Sequence, residues 1–371
     1  MPSITAPRTT LLDPFLGALW EAGATDLHLS AGSTPRLRID GRLVTMTDGT
    51  LDMAPLTAEI IGSILDDLLD EPSAVTFRAD RHVDFAFSWR ERARFRANAF
   101  HQLDRPAIAL RLIPTTVPDP DDLGLPPVVT SLLTRPHGLV LVTGPTGSGK
   151  STTLASIIGW INRHRPCHIL TVEDPIEYLH PSALALVNQR QISHDAVTFQ
   201  DALRAALRED PDVVLVGEMR DLETIALTLT LAETGHLVFA TLHTNDAAQT
   251  VDRIIDVFPA DQQNQIRTQF SLSLAAVISQ RLVPRIGGGR VAAYEVLTGT
   301  AAVSNVIREG KVRQLRNLLA TGHSDGMFVL EQSLARLVDA GIISVEDAVA
   351  ASVHPEDIIG LAPSPRSLVS S

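Results

Sequence analysis

The chain has 371 residues, 44% of them hydrophobic and 20% charged, which gives room for two domains of ordinary size around substantial cores. A formal net charge of -12, 4% aromatic residues and no long basic block make the chain a poor general nucleic-acid binder, with room left for a local basic patch. A single cysteine, Cys167, excludes an intrachain disulfide and a multi-cysteine zinc site, and no apolar run is long enough to span a bilayer. The first residues lack the basic start and apolar core of a secretory signal, so a cytoplasmic protein is expected.

Residues 1–113 read as a mixed α/β domain. "DPFLGALWEAGA" (13–24) has a helical pattern. "LHLSAG" and "PRLRIDGRLV" read as short strands with a turn at Asp40-Gly41. "TAEIIGSILDDLL" places Ile60, Ile61, Ile64, Leu65 and Leu68 on one helical face. In "HVDFAFSW" strict alternation puts Val83, Phe85, Phe87 and Trp89 on one side of a strand. Continuing that period through "RERARFRANAF" puts Arg90, Arg92, Arg94 and Arg96 on a single face, with Ala93 and Phe95 pointing to the core. Such a stripe is either a solvated edge or a surface that meets phosphate from outside the domain.

"PTTVPDPDDLGLPP" (114–127) has the proline and aspartate content of an interdomain linker. Residues 128–361 then read as strand, glycine loop, helix, strand, helix: a parallel α/β domain. The stretch 362–371 reads as a disordered tail.

The chemistry begins at "GLVLVTGPTGSGKSTT" (138–153). An apolar strand runs into Gly144, Pro145, Thr146, Gly147, Ser148, Gly149, Lys150, Ser151 and Thr152, then into a helix. Glycines let backbone amides approach phosphate oxygens, and the helix start adds positive potential. Lys150 is placed for the β- and γ-phosphates of ATP, Ser151 for magnesium and Thr152 for the α-phosphate. Hydrolysis also needs carboxylates. "DVVLVGEMRD" (212–221) is an apolar strand ending in Glu218, a Walker B arrangement with glutamate in the usual aspartate place. "HILTVEDPIEY" (168–178) is a second such strand, ending in Glu173, Asp174 and Glu177. Strand ends of this kind share a sheet edge with the phosphate loop. His236 and His243 flank the apolar "LVFAT", each placed either to meet a phosphate or carboxylate or to satisfy a backbone carbonyl.

Taken together, "GPTGSGKSTT", "TVEDPIEY", "ALREDPDVVLVGEMRDLETI", "AETGHLVFATLHTNDAAQTVDRIIDVFP" and "AVISQRLVPRIGGGRVAAYEVL" resemble the type II/type IV secretion ATPase superfamily. Within it the chain is most similar to the retraction ATPases of type IV pili, the PilT family, over nearly its whole length. The resemblance implies a PAS-like N-terminal α/β domain followed by a RecA-like P-loop ATPase domain, assembled as a hexameric ring. It implies Glu177 as general base, Glu218 as the magnesium-side carboxylate, and His236 and His243 as a histidine box. It further implies that Arg96 and Arg111, with Arg94 less well matched, face the nucleotide of a ring neighbour. The implied cofactors are ATP and magnesium. The implied partners are further copies of the chain, an inner-membrane pilus platform protein and a paralogous retraction or extension ATPase, with no nucleic acid. The implied place is the cytoplasmic side of the inner membrane at the pilus base.

A start close to the PAS-like domain and the lack of a four-cysteine motif favour retraction over pilus assembly or type II secretion. One departure stands out: where retraction ATPases carry "AIRNLI", this chain has "AVSNVI" (302–307), with Ser304 in the arginine position. An accessory retraction paralogue therefore stays open beside the principal motor. A nucleic-acid translocase and a nucleotide-gated ring that barely hydrolyses ATP are the rivals from other classes.

Overall fold

The computed structural model describes residues 11–39, 41–46, 54–90, 92–113 and 116–361. Asp40, half of the expected first turn, and the expected tail at 362–371 lie outside them. The chain divides into two compact units: Met1–Thr116 with Glu177–Leu179, and Val117–Ile176 with His180–Ser371.

The first unit contains α1 (Asp13–Glu21), β1 (Asp26–Ser30), β2 (Arg36–Ile39), β3 (Arg42–Thr45), α2 (Ala58–Leu68), α3 (Glu71–Asp80), β4 (His82–Trp89), β5 (Ala93–Gln102) and β6 (Arg105–Ile113). Among the described residues its six strands form an antiparallel sheet in the order β3-β2-β1-β6-β5-β4. Helix α2 starts because Thr57 caps it, accepting from the Ile60 amide. It buries Ile61, Ile64, Leu65 and Leu68 in one core with Phe87, Trp89, Phe95 and Ala97 of the strands. Ile60, expected on that face, is instead exposed: a 100° step per residue carries it past the edge of the apolar stripe.

The arginine stripe needs a larger correction. Strand β4 ends at Trp89 and β5 begins at Ala93, so Arg90 and Arg92 lie in the turn between them. Arg90 has φ +50, and its guanidinium pairs with Asp13 while lying over the Trp89 ring. Only Arg94 and Arg96 share the outward face of β5, and Arg96 stands directly opposite Arg111 of β6. Arg111 donates from Nε to Asp26 Oδ1 at 2.7 Å, yet 67% of its side chain stays exposed. Asp26, almost wholly buried at its carboxylate, thus holds the root of the guanidinium and leaves its outer edge to solvent.

The second unit contains α4 (Pro127–Leu132), β7 (Gly138–Thr143), α5 (Lys150–His164), β8 (His168–Glu173), β9 (Leu186–Gln191), α6 (Phe199–Ala206), β10 (Val213–Val216), α7 (Leu222–Glu233), β11 (Leu237–Leu242), α8 (Ala247–Asp256), α9 (Gln263–Ser273), β12 (Leu274–Pro284), β13 (Arg290–Thr298), α10 (Ala301–Arg308), α11 (Leu315–Thr321), α12 (Leu330–Asp339), α13 (Val345–Ala351) and α14 (Pro355–Leu361). The strand order is β13-β12-β7-β11-β10-β8-β9, parallel from β12 to β9, with β13 antiparallel at one end. Strands β7, β10 and β11 are buried throughout and almost wholly apolar because both faces are covered. Leu139, Leu141, Val214 and Val216 face one core, and Val140, Val142, Val213 and Leu215 face the other.

The expected linker is not a free tether from Asp119 onward. Asp119 pairs with Arg163, the Leu123 carbonyl accepts from the Tyr294 hydroxyl at 3.1 Å, and Leu125 is buried. The acidic "DPDD" thereby gains a structural reason: Asp119 anchors the chain on α5, and Asp122 accepts from the Asp119 amide.

Glu295, on β13, is buried and accepts from the Ala247 amide at the start of α8 at 2.8 Å. Burial pushes its carboxyl up to about 7, against the pull of that amide. The folded state therefore holds a proton that the unfolded chain releases near its ordinary value of 4.5, and stability falls as pH rises from there to about 7. Glu295→Gln keeps an acceptor for Ala247 and removes the titration. It is expected to flatten the decline of melting temperature between pH 5 and 8, and to raise stability at pH 8 by on the order of 1–3 kcal/mol. An unchanged profile in the variant would locate the titration elsewhere.

Candidate nucleotide site

The phosphate loop leaves β7 at Thr143 and enters α5 at Lys150. Two of its glycines have a steric reason to be glycine. Gly144 has φ +143, and a Cβ there would lie 2.4 Å from the Gln280 carbonyl oxygen. Gly149 has φ +89, and a Cβ there would lie 2.8 Å from Gln280 Nε2. Helix α5 starts at Gly149 without a side-chain cap. Ser148 is buried, and its hydroxyl has no hydrogen-bond partner. An uncapped helix start beside an orphaned buried hydroxyl, in a loop too tight for side chains, fits a phosphate-bearing ligand.

The other chemistry lies on the same sheet edge because the strands are in register. Thr143 stands opposite Leu242, and Val216 stands opposite Ala240 and Val172. The residues that follow, Gly144, His243, Glu218 and Glu173, therefore emerge together. Lys150 Nζ donates to the carbonyls of Gly144 at 2.7 Å and Pro145 at 3.1 Å, and lies 3.5 Å from His243 Nδ1. His243 Nε2 is 3.2 Å from Glu218 Oε1, while Arg220 holds Glu218 Oε2 at 2.8 Å. With its ring proton on Nε2, His243 accepts from Lys150 and donates to Glu218, linking the phosphate loop to the carboxylate. Burial pushes the Glu218 carboxyl up, but the hydrogen bonds and charges of Arg220 and His243 outweigh it and hold the group below the ordinary carboxylate range. Glu173 accepts from Thr171 at 2.8 Å and from Gln189 at 3.3 Å.

The structure thus brings Lys150, Ser151, Thr152, Glu218 and His243 to one edge. His236 is not among them. It precedes β11, on the opposite edge, and its Nδ1 meets the Leu231 carbonyl at 2.8 Å. A six-residue strand, roughly 20 Å long, separates it from the phosphate loop of its own chain. Glu177, Arg96 and Arg111 belong to the first unit. Sequence reasoning missed Gln280 and Ser279 of β12. Gln280 bonds both the loop and α5, and Ser279 shares a hydrogen bond of 2.9 Å with Thr143 at the loop's entrance.

Among the described residues, no group of three or more His, Cys, Asp or Glu is gathered to hold a metal by itself. Magnesium that keeps waters and phosphate oxygens in its shell needs little more than a hydroxyl and a carboxylate from the protein. Ser151 and Glu218 are a donor set of that kind.

The family model described as "Type II/IV secretion system protein" matches residues 5–288. The chain belongs to that family. Within the type II/IV secretion system proteins it is 49% identical over 335 residues to the type IV pilus retraction ATPase PilT of Pseudomonas aeruginosa, covering 90% of this chain and 96% of that one. It is 48% identical over 316 residues to a twitching motility protein of Neisseria gonorrhoeae, covering 85% and 83%. A crystal structure of the pilus retraction motor PilT with bound ADP superposes with a TM-score of 0.86 at 46% identity, covering 93% of this chain and 98% of that one. The PAS-like and RecA-like α/β architecture expected from the sequence is the one this family shares. No helix among the described residues is long and apolar enough to cross a membrane.

Proposed function

We propose that the protein is an ATP-hydrolysing motor that powers type IV pilus retraction as a homohexamer at the pilus base. The observation that carries this reading is its near full-length likeness to PilT retraction ATPases, joined to a phosphate loop, histidine and carboxylate on one sheet edge. Coverage of 96% of the Pseudomonas relative leaves little of that protein unmatched.

In the proposed mechanism the loop amides, Lys150 and Thr152 hold the phosphates, and Ser151 and Glu218 would hold magnesium. When bound, the metal would supply neutralisation of phosphate charge. Glu177 orients and deprotonates the attacking water. Arg96 and Arg111 of a ring neighbour stabilise the charge that develops on the γ-phosphate, so turnover requires one subunit to close on the next. That dependence converts hydrolysis into movement, which the ring passes to an inner-membrane platform protein from the cytoplasmic side. A paralogous retraction or extension ATPase is a further partner.

A second reading, an accessory retraction paralogue, is favoured by one feature. Ser304 stands in the arginine position of the C-terminal motif, and its hydroxyl turns inward to donate to the Ser271 carbonyl at 2.7 Å. The helix presents no cation there.

The two readings separate in the host cell. Deleting the gene or introducing Lys150→Ala, while single pili are followed by microscopy, is expected to give more surface pili that never shorten. Bald cells would instead assign it to assembly or export. Pili that still retract, but weakly under load, would mark it as accessory.

A further inference from the structure

We propose that Gln280 is the residue that fixes the phosphate loop in its binding shape, a positioning role that rests on reading this loop as the nucleotide site. Gln280 is only 3% exposed and approaches the loop from β12, outside the loop's own motif. Its Nε2 donates to the Ser148 carbonyl at 2.7 Å, and its Oε1 accepts from the Thr153 hydroxyl at 2.7 Å. Chemistry sets the direction of the amide. The Ser148 carbonyl can only accept, so the NH2 group must face it, and the oxygen is left for the hydroxyl.

The consequence for the loop follows from the planarity of the peptide. In a trans peptide the carbonyl of one residue and the amide of the next point in opposite directions. Drawing the Ser148 carbonyl toward Gln280 therefore turns the Gly149 N–H away from β12. That amide is the last of the loop before α5. The Gln280 backbone does the same work at the other end, because its carbonyl oxygen occupies the space that a Cβ on Gly144 would need. One residue thus crowds both tightly packed glycines, beside Ser148 at Gly144, and ties the loop to the first turn of α5 through Thr153.

A leucine or methionine would fill much the same buried volume. What only a glutamine supplies is a donor for the Ser148 carbonyl and an acceptor for Thr153. A buried amide satisfied on both sides is worth keeping where a loop must hold one shape without its ligand.

The test uses the full-length chain, with ADP as the probe. Gln280→Met keeps the bulk and removes both polar contacts. The dissociation constant for ADP is expected to rise about tenfold, in line with a lost hydrogen bond to a group that must stay oriented. The rise in melting temperature on adding ADP shrinks correspondingly, and KM for ATP rises more than kcat falls. If Gln280 merely filled space, the variant would melt lower by the same amount with and without ADP, and would bind ADP within twofold of wild type. That result overturns the proposal. Thr153→Val, which removes the hydroxyl that meets both the Gln280 amide and Tyr294, serves if Gln280→Met does not fold, with Tyr294→Phe as its control. It is expected to weaken ADP binding about threefold, and unchanged binding overturns the proposal equally. Failure of the wild-type chain to bind ADP would strike the nucleotide-site reading itself.

Discussion

Glu177→Gln is expected to lower kcat for ATP about 10²- to 10⁴-fold while leaving ADP affinity within a few-fold of wild type, the range for losing a general base. The substitution keeps the size of the side chain and its capacity to orient a water, but removes the proton acceptor. The loop that carries Glu177 has anchors on both sides. Strand β8 ends at Glu173, the Ile176 amide donates to Gln191 Oε1 at 3.3 Å, and the His180 amide donates to Gln189 Oε1 at 2.8 Å. Both glutamines come from β9, two residues apart. Anchored ends mean that a neutral, isosteric side chain should not disturb the loop, so a loss of rate reports on chemistry. Phosphate release and ADP titration on the same preparation separate the outcomes. A kcat within tenfold of wild type would remove Glu177 from the base role, and a collapse of ADP affinity would make it structural.

The phosphate loop was legible because its chemistry is local. Strand, glycines, lysine and helix follow one another along the chain, and each is required by the shape of a phosphate. The sheet edge was legible for a related reason. An apolar run ending in a carboxylate has few other uses in a parallel sheet, and register then brings Glu218 and His243 beside the loop. His236 shows the limit of that argument. Flanking the same strand is not enough, since one end of β11 lies at the site and the other a strand's length away.

Gln280 was hidden for the opposite reason. Its partner in the loop lies 132 residues earlier, and a single glutamine in "AVISQRLV" reads as the polar side of an alternating strand. Nothing short of the fold says that this position faces Ser148. The arginine stripe failed through extrapolation. A period of two holds within β4 and within β5, but the turn at Arg90 breaks the phase, and Asp13 takes that arginine for itself. The surviving pair, Arg96 opposite Arg111, is made by strand pairing that the sequence does not print. The linker reading likewise saw composition and missed Asp119, whose anchor on Arg163 lies 44 residues on.

Glu218→Gln is expected to reduce kcat about 10²- to 10³-fold with nucleotide still bound, the scale of losing one preorganised charge at a reacting centre. The carboxylate has two fixed neighbours, Arg220 at 2.8 Å and His243 at 3.2 Å, and both favour its ionised form. With its pKa held below the ordinary range, Glu218 stays charged as pH falls through the region where free glutamate titrates. Its contribution is lost only as pH drops through that depressed value. The part of the acid limb of kcat/KM that Glu218 governs in the wild-type enzyme should therefore lie below the normal glutamate range. His243→Ala removes one of the two groups that hold the value down, and should move the limb upward. An acid limb that stays in place in His243→Ala would mean that Glu218 does not govern it. A Glu218→Gln enzyme that turns over within tenfold of wild type would place the magnesium-side carboxylate elsewhere, with Glu173, on the same edge, the first candidate to replace it.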